Sequence, residues 1–122
     1  DYEDIALGIL NRFSRRINKS GMGYTMMMKA VDFIKGPSYE IIISAKQRSA
    51  SSNKIIKQIN SIKQPNKVVI WLDEENKPTL ESIMPFIQYF PVDSLEPMVY
   101  VCQNYSCQLP TTDIDKIIEL IR

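Results

Sequence analysis

The chain has 122 residues, of which 44% are hydrophobic and 24% charged, and it carries a net charge of +1 with two cysteines and no histidine. These values are typical of one ordinary globular domain with a core of its own. No apolar run approaches the about 20 residues that a membrane span requires, and two cysteines are too few for a disulfide-dense secreted scaffold. The acidic start "DYEDIALGIL" is unlike a signal peptide, so we expect a cytoplasmic protein with no membrane partner.

Charge is divided unevenly along the chain. Between Ile41 and Leu72 there are six basic residues and no acidic ones, whereas from Asp73 to Arg122 nine acidic residues outnumber three basic ones. Such a split can steer a charged partner. Binding of nucleic acid, however, also relies on aromatic side chains interleaved with the basic ones, and the basic stretch contains only Trp71, within an apolar run. We therefore expect no nucleic-acid partner.

Two amphipathic helices are predicted at the N-terminus. Apolar residues four apart over residues 2–18, and again over about 24–35, each form a single stripe along a helix. The sequence "SGMG" separates the two helices, and "GP" ends the second because proline disfavours helical geometry at the preceding residue. We interpret residues 1–35 as a helical hairpin. The stripe of its second helix consists of Tyr24, Met27, Met28, Val31 and Ile34.

Three short apolar runs follow, at residues 39–44 ("YEIIIS"), 67–72 ("KVVIWL") and 98–102 ("MVYVC"). They are rich in β-branched or aromatic residues and are continuous rather than alternating. Continuous runs indicate strands covered on both faces, which is typical of parallel sheets.

Helical patterns occupy the segments between and after these runs. The second of them, over residues 78–90, contains Pro85, which predicts a kink or a new short helix at that position. The last helix is predicted to be capped by Thr112. Strands that alternate with helices predict an α/β fold. We expect residues 38–122 to form a small three-stranded parallel sheet with helices on its faces, and to make one compact domain with the hairpin.

The loop after the first run is a candidate anion site. Lys46, Arg48 and Ser52 lie just before a predicted helix, whose free N–H groups and dipole favour anions. The loop has none of the glycines of a phosphate-binding loop, and the simpler interpretation, which we favour, is a solvated loop. The three carboxylates at residues 73–75 could hold Mg²⁺, but adjacent residues rarely converge on one ion, and a polar turn is the preferred interpretation.

Cys102 and Cys107 leave three interpretations open. Free cysteine is often a small buried apolar side chain, and we favour this packing role. A disulfide or redox pair is the second interpretation, although four residues separate the two thiols where the familiar redox motif has two. The third is a metal shared with another chain, because zinc needs four ligands. We identify no catalytic residue, no metal site within the chain and no cofactor.

The sequence "YVCQNYSCQLPTTD", residues 100–113, resembles the C-terminal signature of a multidomain family, the spermatogenesis-associated thioredoxin-like proteins. These proteins join an N-terminal thioredoxin-like domain to a six-hairpin, glycosidase-like α/α barrel. Weaker likenesses occur in "AVDFIKGPSYEIIIS" (30–44), "PNKVVIW" (65–71) and "MPFIQ" (84–88). The matching residues of the tail motif are Tyr100, Val101, Cys102, Cys107, Pro110 and Asp113.

The resemblance implies that this chain is the C-terminal part of a longer protein. Residues 1–35 would then be the last helices of the barrel, and residues 38–122 a closing α/β unit whose partner is the remainder of the parent chain. We expect a non-catalytic structural or interaction module with an exposed apolar patch near the stripe of the second helix. A family-level role in carbohydrate metabolism is implied only by the likeness to glycosidases. The alternative is thiol–disulfide chemistry at Cys102 and Cys107 together with the parent's thioredoxin-like domain.

Overall fold

The computed structural model describes residues 1–104 and 106–121 of the chain. It divides into two compact units, Asp1–Ser38 and Tyr39–Arg122. No helix within the described ranges is both long and apolar enough to cross a membrane.

The N-terminal unit consists of two helices, as the apolar periodicity predicts. Helix α1 spans Tyr2–Lys19 and helix α2 spans Thr25–Lys35, with a short 3₁₀ helix, Gly21–Tyr24, between them. The Asp1 carboxylate caps α1 by accepting a hydrogen bond of 3.1 Å from the Glu3 amide. Neither helix contains a buried residue, so this unit lacks the buried apolar core that usually stabilises a helical hairpin.

The C-terminal unit contains a four-stranded sheet in the order β2-β1-β3-β4. Its strands are β1 (Tyr39–Ser44), β2 (Lys67–Leu72), β3 (Met98–Gln103) and β4 (Ser106–Cys107). Strands β1 and β2 are parallel, whereas β3 is antiparallel to both β1 and β4. The prediction of a three-stranded parallel sheet is therefore wrong: the sheet is mixed, and it has a short fourth strand.

The two connections between the long strands differ in the length of their α-helices. Helix α3 (Ala50–Ser61) has 12 residues and rises about 18 Å, which matches the about 20 Å of a six-residue strand. It can therefore carry the chain back to the edge where β1 began. Helix α4 (Lys77–Ile83) has only 7 residues and rises about 10 Å.

The segment after α4 contains a second short helix. A 3₁₀ helix begins at Pro85 and ends at Tyr89, which confirms the predicted interruption. The chain then enters β3 at Met98, which pairs with Ser44, the last residue of β1. Strand β3 thus starts at the edge of the sheet where β1 and β2 end.

Strand β1 is covered on both faces. Ile41 and Ile43 pack in one apolar cluster with Ile59 of α3 and Ile117 of helix α5 (Ile114–Leu120). Ile42 packs on the other face, in a cluster with Ile87 of the second 3₁₀ helix. The expectation of two covered faces is thus correct for the central strand, even though the sheet is not parallel.

The cap of α5 lies one residue later than the sequence indicated. Asp113, not Thr112, is the N-cap residue, and its side chain accepts a hydrogen bond of 3.0 Å from the Asp115 amide. Asp is as good a cap as Thr and also favours the positive end of the helix dipole.

We expect Ile43→Ala to lower the free energy of unfolding by about 2–5 kcal/mol, because the substitution leaves a cavity in the closed core. Ile43 is 0% exposed. The matched control is Ile83→Ala at the end of α4, where the side chain is 70% exposed and the loss should stay below about 1 kcal/mol. Urea unfolding followed by circular dichroism measures both. Equal losses would contradict the assignment of Ile43 to the core.

Candidate functional site

A disulfide bond joins Cys102 and Cys107. The two residues are directly opposite each other in the antiparallel pair of β3 and β4, with Gln103 opposite Ser106. Asn104, directly after β3, has a φ of 51°, a left-handed conformation that Asn adopts more readily than most residues. The chain reverses there and brings the two cysteines to a Cα–Cα distance of 3.9 Å.

The favoured prediction of two unbonded thiols is therefore wrong, and the bonded alternative is correct. The packing role holds for one sulfur only: Cys102 is 1% exposed and belongs to the cluster around Ile42, whereas Cys107 is exposed. A sequence signal was present. Two cysteines separated by four residues face each other when the middle two form a tight turn, and Asn is a preferred residue in such turns.

A cavity of about 660 Å³ lies against the disulfide. It is on the face of the sheet that carries Ile42, since Glu40, which lines it, is two residues from Ile42 on the same strand. The lining combines the disulfide with aromatic and apolar side chains and a single carboxylate. These residues are Glu40, Phe86, Tyr89, Phe90, Tyr100, Cys102, Cys107, Gln108, Leu109 and Pro110.

The tail motif of the sequence contains both cysteines of this cavity together with Tyr100 and Pro110, but no sequence pattern marks the other lining residues as a site. The signal that could have indicated Glu40 is a lone carboxylate within the apolar run "YEIIIS". Phe86 and Phe90 belong to a predicted helical segment whose pattern contains no functional signal. Only the folded sheet and the segment after α4 bring these groups to one place.

The three residues of the predicted anion site are each engaged in separate local contacts. Lys46 Nζ lies 3.9 Å from a Glu74 carboxylate oxygen. Arg48 Nε donates a hydrogen bond of 2.9 Å to Asn53 Oδ1, and its guanidinium lies 5.7 Å from the centroid of the Trp71 ring. An anion site at this loop stays a prediction.

Ser52 is buried and completes the N-terminal cap of α3 with Ser49. Its hydroxyl accepts a hydrogen bond of 2.8 Å from the Ser49 amide and donates one of 2.9 Å to the Ser49 carbonyl. These bonds pair the backbone polar groups of Ser49 at the start of the helix, so the Ser52 side chain acts as a capping group.

The acidic segment after β2 forms a polar turn. Asp73 accepts hydrogen bonds from the Trp71 indole at 2.6 Å and from the Asn76 amide at 2.9 Å. Within residues 1–104 and 106–121, no group of three or more acidic or cysteine side chains is arranged to hold a metal ion.

Comparison with known proteins gives one consistent result. A curated human protein is 25% identical over 113 residues, which are 93% of this chain, and a rat and a mouse protein match the same length at 25% and 24% identity. This chain is similar to spermatogenesis-associated protein 20. The similarity supports, at the level of the family, the resemblance that the tail motif indicated.

The chain spans 14% of the length of the human, rat and mouse forms of spermatogenesis-associated protein 20. No family model matches the sequence. No solved structure matches it at a significant level.

Reduction of the disulfide should lower the free energy of unfolding by about 2 kcal/mol, because the bond closes a short loop in the unfolded chain. Urea unfolding with and without a dithiol reductant measures the difference. The control is a Cys102→Ala, Cys107→Ala double variant, whose unfolding should not respond to the reductant. A reductant-insensitive midpoint in the unmodified chain would contradict the bond.

Proposed function

We propose that this chain is a non-catalytic structural and interaction module of a longer protein, and that the apolar surface of its helical hairpin docks on the remainder of that protein. The observation that carries the proposal is the absence of any buried residue in α1 or α2, both of which lie entirely within the described residues. Amphipathic helices derive most of their stability from burying an apolar face, and this pair exposes its own.

The docking surface is defined by a shallow groove along the hairpin. Large apolar side chains in it are open to solvent: Ile9 is 50% exposed and Met26 is 75% exposed. Contiguous exposed apolar surface of this kind is typical of interaction sites. The residues that line the groove are Ala6, Ile9, Leu10, Met26, Met27, Ala30 and Ile34.

This surface differs in detail from the predicted patch. Of the stripe that the sequence indicated, Met28 is 43% and Ile34 48% exposed, whereas Tyr24, Met27 and Val31 are half-buried. Phe13 and Tyr24 pack against each other, with ring centroids 6.2 Å apart. The contact uses part of the stripe to hold the hairpin together.

The choice of the remainder of a longer protein as the occupant of the groove is supported by the comparisons. Spermatogenesis-associated protein 20 is much longer than this chain, which spans only 14% of it. The family resemblance of the tail motif implies an α/α barrel before this segment, and helices of such a barrel would offer an apolar face of matching character. This proposal also assigns to the longer protein a thioredoxin-like domain, a glycosidase-like barrel and a part in carbohydrate metabolism.

The docking proposal is tested by expressing this chain and the remaining part of the longer polypeptide as separate proteins. We expect the two to co-purify. The double substitution Ile9→Asp and Met26→Asp should weaken their association at least about tenfold, because it places carboxylates in a desolvated apolar contact. Titration by fluorescence anisotropy measures the affinity.

Asn11→Asp with Thr25→Asp is the matched control, since it adds the same two charges at exposed positions of the same two helices outside the groove. This control should bind within about twofold of the unmodified chain. The proposal fails if the two double variants bind equally, or if the unmodified chain pairs only with a second copy of itself.

The disulfide favours a second candidate function, thiol–disulfide exchange. Cys107 is exposed while Cys102 is 1% exposed, so an incoming thiolate has access to only one of the two sulfurs. Exchange proceeds by attack of a thiolate on one sulfur of the bond, and access is one of the factors that set its rate. A dithiol of the Cys-X-X-Cys class, such as a thioredoxin-like domain carries, is the fitting co-reactant.

Exchange between the Cys102–Cys107 disulfide and such a dithiol balances in atoms and electrons. The first thiolate of the dithiol forms a bond to Cys107 Sγ, the bond between the two cysteines breaks, and Cys102 Sγ leaves with the electron pair and takes up a proton. The second thiolate of the dithiol then displaces Cys107 Sγ, which is protonated in turn. The partner dithiol ends as a disulfide, and this chain gains two thiols.

Trapping tests this second candidate. A dithiol partner that lacks its second cysteine should form a mixed disulfide with the unmodified chain through Cys107, at least about tenfold in excess of Cys102, because burial shields the latter. Tandem mass spectrometry identifies the linked residue. Equal linkage to both cysteines, or no trapped species under conditions that reduce an exposed control disulfide, would contradict the exchange function.

A further inference from the structure

The cavity beside the disulfide has aromatic walls. Phe86 and Phe90 meet nearly edge to face with ring centroids 6.3 Å apart, and Phe90 meets Tyr100 in the same way at 4.9 Å. These contacts fix the rings relative to one another and to the sheet. Aromatic rings provide apolar contact area, and their faces carry a negative potential that attracts cations.

Glu40 is the one charged side chain among the residues that line this cavity. The residue is half-buried, and register places it directly opposite Cys102. Within the part of the chain that the structure describes, the Glu40 carboxylate has neither an ion pair nor a side-chain hydrogen bond. A carboxylate in apolar surroundings loses hydration, and without a partner nothing in the protein offsets that loss.

The size of the cavity suits a small organic molecule. Its volume of about 660 Å³ falls in the range of about 300–1,000 Å³ that is usual for ligand pockets. Such pockets combine a mostly apolar lining with a few polar groups that orient the ligand. Here Gln108 and Tyr100, which have polar groups of their own, accompany Glu40 among the lining residues.

We propose that this cavity binds a small organic cation, with the Glu40 carboxylate as its counter-ion. The cation is a protonated amine attached to an aromatic or short aliphatic group. An ammonium group pairs with the carboxylate while the apolar body lies among the rings of Phe86, Phe90 and Tyr100. An anion of the same shape is repelled by Glu40, and a neutral one leaves the carboxylate unpaired. This binding function is separate from the hairpin docking surface and does not depend on it.

Three probes of nearly equal shape test the proposal on the unmodified, oxidised chain: 2-phenylethylamine as the ammonium, 2-phenylethanol as the neutral form, and 3-phenylpropionate as the anion. Amide chemical-shift titration by NMR measures the affinity of each. We expect the ammonium to bind at least about tenfold more tightly than the alcohol, since it adds an ion pair and cation–π contacts. The anion should bind most weakly, and shifts should centre on Glu40, Phe86, Cys102 and Gln108.

Substitution of the counter-ion supplies the second arm. Glu40→Gln should lower the affinity for the ammonium about tenfold, to near that of the alcohol, and leave the affinity for the alcohol within about twofold. The matched control is Glu119→Gln, which removes the same charge from an exposed position of α5 outside the cavity. This control should change neither affinity.

The proposal is overturned if the ammonium and the alcohol bind the unmodified chain equally. It is also overturned if Glu40→Gln and Glu119→Gln lose the same affinity, since the effect would then reflect only net charge, or if the shifts centre away from the cavity. The comparison of probes on the unmodified chain needs no variant, so it decides the matter even where Glu40→Gln fails to fold.

Discussion

The register of β1 fixes the arrangement of the whole C-terminal unit. Ile41 and Ile43 must face the cluster of α3 and α5, and Ile42 must face the cluster of the second 3₁₀ helix. A slip of one residue would bring Glu40 into a closed apolar core, at the large cost of a buried unpaired charge. With the register fixed, Glu40 lies opposite Cys102. The position of the disulfide and of the cavity beside it therefore follows from the burial of three consecutive isoleucines.

The two units of the chain obtain their stability in different ways. The sheet unit closes its own core, with fully buried residues such as Ile59 and Ile117 on one side of β1 and Ile87 on the other. The helical hairpin has caps and a ring contact between Phe13 and Tyr24, but it has no buried residue. The proposed docking implies that the sheet unit is stable without a partner, whereas the helical hairpin reaches its full stability only when its groove is covered.

The parts of this fold that could be predicted are those whose burial produces a recognisable pattern within a short stretch of sequence. Continuous apolar runs located the three long strands, and Pro85 located the end of α4, because each effect acts within a few residues. The direction of β3 could not be predicted, because the connection over residues 73–97 is long enough to reach either end of the sheet. Strand β4 has two residues and no apolar pattern, so only the spacing of the cysteines around a turn residue, Asn104, indicated the pairing of Cys107 with Cys102. The cavity joins Glu40 to Phe86 and Gln108, which no sequence pattern relates.

The segment that follows β4 has a consequence for self-assembly. It continues alongside β3: the Gln108 amide donates to the Val101 carbonyl at 2.9 Å, and Thr111 exchanges two hydrogen bonds of 3.0 Å with Val99. Pro110 lies between these contacts and has no amide hydrogen to offer to a further strand. Exposed strand edges are templates for aggregation, and proline and very short edge strands are two devices that oppose it. The disulfide holds this irregular segment against β3. Oxidation of the two cysteines therefore also opposes edge-to-edge association of the sheet on this side.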